Sequence, residues 1–334
     1  MIVKMKPKTT EKQVAKLINF FKEKEIEYLD ISSDEYHAFR LEKTPYLKEI
    51  RAFDEVELVL PLTKRFSQIS RENQAEDTVI KVKGKTIDSK TFSIIAGPCS
   101  IESEEQLIKI AKTLKKNKIG FLRGGAYKAR TSPYDFQGLE LAGLMMLNRI
   151  AAEYDLITVS EIPSADLIPL FEEYVDIIQV GARNMQNYHL LKALGKATKP
   201  ILLKRGFGAT IEEWLMAAEY LFVHGNRNII MCERGIRTFE TYTRNTLDIS
   251  SVLAIKELTH LPVIVDPSHA SGRYQMVEPL SLAALAVGAD GIMVEIHPEP
   301  TKALSDGAQS LKPSKFTTMI EKIDQLLPLF DKKR

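Results

Sequence analysis

At 334 residues the chain is longer than one hydrophobic core usually serves, so a large domain with a small companion is expected. Hydrophobic content of 44% and charged content of 27% are those of a soluble globular protein, and no apolar run nears the roughly 20 residues of a membrane span, which argues against a membrane partner. A net charge of +2, with lysines and arginines dispersed along the chain, leaves no electrostatic footprint for nucleic acid.

In chain order, "MIVKMK" reads as a strand, and "EKQVAKLINFFKEKEI" places Val14, Leu17, Ile18 and Phe21 at helical spacing. Strand-like runs follow at "IEYLDI" and "EYHAFRL", then a weak helix at "TPYLKEI" and a strand at "EVELVLPL". The order β-α-β-β-α-β is the ferredoxin-like pattern, assigned to residues 1–64. Residues 65–78 are polar and aperiodic, and are expected to form a linker. Residues 79–334 form the second domain, entered through a hairpin that turns at Gly84. The N-terminus lacks the charged start, apolar middle and cleavage site of a signal peptide, so a cytoplasmic location is expected. In that reducing compartment Cys99 and Cys232 are not expected to form a disulfide.

From residue 91 one unit repeats. The strands are "FSIIAG", "GFLRGG", "ITVSEI", "DIIQVGA", "PILLKRG", "NIIMCER", "PVIVDPS" and "GIMVEIHP", each followed by a helical segment. The clearest helices start at Ser103, Gly138, Thr210 and Lys315, and Leu139, Ala142, Gly143, Met146 and Ile150 mark one apolar face. Ser103 with Gln106 and Thr210 with Glu213 have capping-box spacing. Eight such repeats match a (β/α)8 barrel in number and length. The alternative, an open doubly wound sheet, lacks its Gly-rich nucleotide turn here.

A (β/α)8 barrel builds its site at the C-terminal strand ends. Those positions hold Cys99, Arg123, Glu161, Arg183, Lys204, Arg234, Asp266 with His269, and Glu295. Exposed loop polarity would give a mixture; arginines converging with a lysine instead call for an anion, whose oxygens suit guanidinium forks. Lys128, Arg130, Thr131 and Ser132, close together after the second strand, make a plausible phosphate cradle. Strands one and eight are neighbours in a closed barrel. Cys99 can therefore meet His269, Glu295 and Asp306, a donor set suited to Mn, Fe, Co or Zn. Taken singly, each has a plainer reading, the cysteine as a buried small hydrophobe and the histidine as a loop hydrogen-bonder. Cys232 is assigned to packing.

The motifs "AGPCSIES", "LRGGAYKARTSPYDFQG", "VGARNMQN", "LLKRG", "CERGIRTFE", "VDPSHASG" and "VEIHPEPTKALSDG" together resemble 3-deoxy-D-arabino-heptulosonate-7-phosphate (DAHP) synthase of the type I beta subclass, over about residues 75 to 334. The resemblance implies condensation of phosphoenolpyruvate with erythrose 4-phosphate, the first step of aromatic amino acid synthesis through the shikimate pathway. It implies one divalent metal per subunit, manganese ahead of iron, cobalt or zinc, on Cys99, His269, Glu295 and Asp306. Phosphoenolpyruvate would bind Arg123, Lys128, Arg183, Lys204 and Arg234, and erythrose 4-phosphate would bind Arg130, Thr131, Ser132 and Asp266. The catalytic residues would be Lys204, as proton donor, with Cys99 and His269. Where the family usually has proline this chain has Ala129, which relaxes the loop backbone.

The rival is 3-deoxy-D-manno-octulosonate-8-phosphate synthase, which takes arabinose 5-phosphate and whose loop has one more residue between lysine and arginine. A third reading would make Lys204 a Schiff-base lysine. The N-terminal unit is similar to the regulatory domain some members carry. That likeness implies a site for tyrosine or phenylalanine, a domain covering the barrel mouth, and a homotetramer; the plainer reading is a dimerisation module.

Overall fold

The computed structural model describes residues 1–33, 36–41, 44–60, 65–128, 130 and 132–334. Ala129 and Thr131, the latter expected at the sugar phosphate, lie outside the described residues. The chain divides into two compact units, Met1–Ser67 and Gln68–Arg334.

The first unit runs β1 (Ile2–Met5), α1 (Glu11–Glu23), β2 (Tyr28–Asp30), β3 (Ala38–Leu41), α2 (Leu47–Arg51) and β4 (Val56–Leu60). Its antiparallel sheet has the order β2-β3-β1-β4. Val14, Leu17 and Phe21 of α1 share one apolar core with Val3, Met5, Phe39 and Leu41 of the sheet, while Ile18 sits at its margin. The Phe21 and Phe39 rings meet edge to face at 5.8 Å, the geometry the ring quadrupole favours.

The second unit opens with the hairpin β5 (Ile80–Val82) and β6 (Lys85–Ile87). Lys83 and Gly84 both have positive φ, 43° and 77°, as a two-residue type I′ turn requires. Ile80, Val82 and Ile87 join the barrel's interior cluster with Ile95 and with Phe121, Ile157 and Ile177, the first residues of their strands. The hairpin thus plugs the N-terminal end of the barrel and leaves the opposite end for chemistry.

The barrel strands are β7 (Ser93–Gly97), β8 (Phe121–Arg123), β9 (Ile157–Ile162), β10 (Ile177–Val180), β11 (Ile201–Lys204), β12 (Ile229–Glu233), β13 (Val263–Val265) and β14 (Gly291–Glu295). Among the described residues these eight close into a parallel barrel, with β14 pairing β7 in the register Glu295 to Gly97. This is the expected (β/α)8 fold. The outer helices are α3 (Glu104–Lys116), α4 (Glu140–Glu153), α5 (Ile168–Tyr174), α6 (Tyr188–Leu194), α7 (Ile211–Val223), α8 (Ser250–Leu258), a short α9 (Pro267–Ser271), α10 (Tyr274–Ala286) and α11 (Pro313–Leu326).

Three local readings differ from expectation. Helix α4 buries Gly143, Leu144, Leu147, Ile150 and Ala151, leaving Ala142 exposed and Met146 half-buried. Its apolar residues run nearly all round, so periodicity could not fix the face. The Thr210 box closes in both directions, whereas Ser103 accepts from the Gln106 backbone at 3.2 Å but the Gln106 side-chain oxygen turns to the Glu102 N–H at 3.0 Å. The segment expected as linker belongs to the barrel unit from Gln68 onward. Ile69 is fully buried, the N–H groups of Gln68 and Ile69 donate to the Glu219 carboxylate at 2.8 and 3.0 Å, and Arg71 Nε donates to the Lys256 carbonyl at 2.9 Å. One buried apolar anchor and satisfied polar groups hold a segment whose composition alone reads as solvated.

Candidate metal and anion site

The last residues of the barrel strands, or those just beyond them, carry the site. Arg123, Lys204 and Glu295 end β8, β11 and β14; Cys99, Arg183, Arg234 and Asp266 follow β7, β10, β12 and β13. Cys99, His269, Glu295 and Asp306 each bring one ligand atom into a group lying within 4.8 Å of one another. Cys99 Sγ is 3.2 Å from Asp306 Oδ2, and His269 Nε2 is 3.2 Å from Glu295 Oε1.

The backbone makes this possible at two particular residues. A side chain at Gly125 would strike the Cys99 carbonyl at 2.6 Å. Without one, the loop after β8 closes on Cys99, and Lys128 Nζ reaches the Cys99 carbonyl and sulfur at 3.0 and 3.1 Å. Asp306 has φ of 51°, a left-handed conformation that aspartate tolerates better than most residues.

Neighbouring groups hold the ligand atoms. Asp266 Oδ2 lies 2.7 Å from His269 Nδ1, which assigns the ring proton there and leaves Nε2 free to ligate. Asp266 also accepts from Lys204 Nζ at 2.6 Å. Glu295, fully buried, accepts from Arg123 Nη1 at 2.5 Å and from Gln309 Nε2 at 2.7 Å.

Burial, reinforced by Glu295, pushes the Cys99 thiol up to about 12. Burial lowers His269 below its ordinary value, outweighing Asp266 and Glu295. Burial would raise Asp306, yet His269 and Arg244 together bring it down to about 2. Burial opposes Asp266 too, and His269 and Lys204 hold it well below the ordinary carboxylate value.

The donor set fits a divalent transition metal. With its ring proton assigned to Nδ1 against Asp266, the His269 Nε2 acceptor and a Glu295 carboxylate oxygen face each other at 3.2 Å beside a thiol and a second carboxylate. Such an arrangement calls for a cation between them.

Beside this group lies a cavity lined by Lys128, Arg130, Arg183, Lys204 and Arg234, with His269 and Asp306 at its metal edge. Arg123 instead stands behind Glu295, and its Nε is buried with no partner among the described residues. Arg130 donates to Ser305 Oγ at 2.8 Å and to Asp135. Ser132 is not brought to the cavity lining; its hydroxyl accepts from the Tyr134 N–H at 3.3 Å. Cys232 is wholly buried in the barrel interior.

Sequence reasoning missed several residues. Arg244 binds Asp306 Oδ1 at 3.1 Å and Gln309 Oε1 at 3.0 Å. It sits deep in the β12–α8 loop, beyond any strand-end rule. Phe207 lines the cavity. A buried ion pair joins Arg205 to Glu233 at 2.9 Å, tying together the residues adjoining Lys204 and Arg234. Their adjacency to strand-end cations was the available signal.

A model of the DAHP synthetase I family matches residues 72–330 of this chain, most of its length. The chain belongs to that family. It is 47% identical over 329 residues, covering 98% of this chain and 97% of the relative, to a phospho-2-dehydro-3-deoxyheptonate aldolase of Thermotoga maritima. A crystal structure of the Thermotoga maritima DAHP synthase superposes with a TM-score of 0.81 at 46% identity, covering 99% of this chain and 98% of that one. A truncated form of the Thermotoga synthase covers 80% of this chain and 98% of its own, with a TM-score of 0.76 and 50% identity. A 2-dehydro-3-deoxyphosphooctonate aldolase of Syntrophotalea carbinolica is 35% identical over 241 residues, covering 66% of this chain and 84% of the relative. As a member of the DAHP synthetase I family the chain is an enzyme. Among the described residues no helix is long and apolar enough to cross a membrane.

Proposed function

We propose that the protein is a metal-dependent DAHP synthase of the type I beta kind, joining phosphoenolpyruvate to D-erythrose 4-phosphate and releasing phosphate. The observation that carries this reading is the juxtaposition of the Cys99, His269, Glu295 and Asp306 donors with a cavity of cations, in a chain nearly half identical, end to end, to the Thermotoga aldolase.

Cys99, His269 Nε2, Glu295 and Asp306 would hold the ion, with manganese ahead of iron, cobalt or zinc. Bound there, it supplies a Lewis acid for the sugar's aldehyde oxygen. Lys128, Arg183, Lys204 and Arg234 bind the phosphate and carboxylate of phosphoenolpyruvate, and Arg123 supports them from behind Glu295. Arg130, with Thr131 and Ser132 of the same loop, takes the sugar phosphate, and Asp266 faces the sugar hydroxyls. C3 of phosphoenolpyruvate forms a bond to the aldehyde carbon, and Lys204 gives its proton to the oxygen that becomes a hydroxyl. Water adds at C2, the C2–O bond to phosphate breaks, and inorganic phosphate leaves. Cations placed before the reaction stabilise the charge that develops without reorganising.

The first unit, with its β-α-β-β-α-β order, is read as a ferredoxin-like regulatory domain for tyrosine or phenylalanine in a cytoplasmic homotetramer on the pathway to aromatic amino acids. The test of the reaction is loss of the enol absorbance of phosphoenolpyruvate with erythrose 4-phosphate or arabinose 5-phosphate, with and without chelator. Erythrose-dependent loss that chelator abolishes and manganese restores is the expected result. Loss only with arabinose 5-phosphate moves the chain to the octulosonate reaction, and loss with neither sugar ends this reading.

A further inference from the structure

Three guanidinium groups gather on one phenyl ring at the barrel mouth. Arg183, Arg234 and Arg237 lie 5.4, 4.7 and 4.9 Å from the centre of the Phe207 ring. The arrangement follows from topology. Phe207 comes from the loop after β11, while Arg183 comes from the loop after β10, and Arg234 and Arg237 from the loop after β12, the two flanking strands. A ring on the middle loop is therefore within reach of cations on both sides.

The ring's backbone is fixed. Phe207 O accepts from the Arg237 N–H at 2.7 Å. The neighbouring Gly206 N–H donates to Met185 Sδ at 3.0 Å, and Arg205 Nε closes the loop on the Ala209 carbonyl at 3.0 Å. Phe207 itself is half-buried and faces the cavity that Lys204 and His269 also line.

The cations have little else to hold them. Arg234 donates only to the backbone carbonyls of Gly235 and His269, at 3.2 and 3.1 Å. Among the described residues, Arg183 and Arg237 have neither a carboxylate nor another hydrogen-bonding partner for their side chains. Like charges so close repel; Asp266 and Glu233 favour the charge on Arg234 from a distance, and the negative face of the Phe207 ring is the counterweight all three arginines share before an anion arrives.

Resting on the reading of the cavity as a phosphoenolpyruvate site, we propose that Phe207 is a positioning residue that collects these arginines in advance, and that Arg237, exposed and not among the residues lining the cavity, joins that site from its rim through the ring. Neither residue is assigned a proton transfer, and neither has a hydrogen bond to the metal donors among the described residues. Their contribution falls on the affinity for phosphoenolpyruvate and leaves the affinity for the sugar alone, because preorganised donors bind without paying to assemble.

The experiment is calorimetric titration of the whole protein with phosphoenolpyruvate, together with steady-state kinetics in both substrates, on wild type, Phe207→Leu, Phe207→Tyr and Arg237→Gln. Phe207→Leu is expected to weaken phosphoenolpyruvate about tenfold, the scale of a few weak cation–ring attractions. Its kcat and its KM for erythrose 4-phosphate should stay within about twofold of wild type. Phe207→Tyr keeps the ring face and should restore the affinity, and Arg237→Gln should weaken phosphoenolpyruvate alone. Unchanged phosphoenolpyruvate affinity in Phe207→Leu overturns the proposal. So does a loss shared equally by both substrates or by the tyrosine variant, which would reveal loop packing rather than a ring platform. Unchanged affinity in Arg237→Gln removes that arginine from the site. A wild type that binds phosphoenolpyruvate without turning over either sugar defeats the reaction assigned above, while the ratio of affinities still decides the role of Phe207.

Discussion

Gln309 Nε2 donates to one Glu295 oxygen while Gln309 Oε1 accepts from Arg244, so one amide orients a candidate metal ligand and links it to a cation on another loop. Outer partners of this kind typically change metal affinity or activity by about 10- to 100-fold. Gln309→Ala should therefore lower manganese affinity by that order with the fold retained, as read by metal titration of the apoprotein beside a melting curve. Lys204 is bound to Asp266, which also holds His269. As the proton donor it should be worth about 10² to 10⁴ in turnover. Near-normal kcat in Lys204→Ala would remove it from that role. The candidate site was legible at this scale wherever a strand end announced it. Cys99, His269, Glu295 and Asp306 do meet. Gln309, Arg244 and Phe207 escaped because they lie beyond the strand ends and outside the motif stretches that named Asp306, Lys128 and Arg130.

Among the elements, the segment from Gln68 to Thr78 shows what docking onto a barrel asks of polar groups. His260 is buried with Nε2 3.3 Å from the Gln68 carbonyl, which can only accept, so that nitrogen carries the proton; Nδ1 accepts from Thr78 Oγ1 at 2.7 Å. Burial, aided by Arg71 and opposed by the Gln68 hydrogen bond and Asp77, lowers its affinity for a proton below the ordinary value of 6.5. The unfolded chain then binds more protons than the folded one as pH falls below that value. Stability is complete above pH about 6.5 and is lost below it, until the lower folded-state value is reached. Wild type should lose stability relative to His260→Gln as pH falls below about 6.5, at no more than about 1.4 kcal/mol per pH unit. Melting curves against pH check this, and parallel curves for the two proteins would exclude His260. Helix α4 teaches a complementary lesson. Its existence was evident, but with Leu141 and Met145 exposed and Leu144 and Leu147 buried, only packing could say which apolar side faces inward.

For the whole molecule, the division after Ser67 and the separate apolar core of the first unit make each unit a plausible folding entity. A protein starting at Gln68 should fold and retain the condensation. It should lose inhibition by tyrosine or phenylalanine if the first unit is the sensor. Dose–response curves for both amino acids on full-length and shortened protein decide this, and inhibition that survives truncation would place the effector site in the barrel.

Composition, period and motif by themselves determined the repeating strand and helix order, the barrel, and the residues at its strand ends. Each of these depends on local spacing or on a rule that ties strand direction to function. Tertiary structure decided the rest. It showed that residues from 68 onward belong to the barrel, that α4 turns its Leu144 face inward, that Ser132 is not among the residues lining the cavity, and that three arginines share the ring of Phe207. These facts depend on distances between residues far apart in the chain, which closure of the barrel sets and no local pattern encodes.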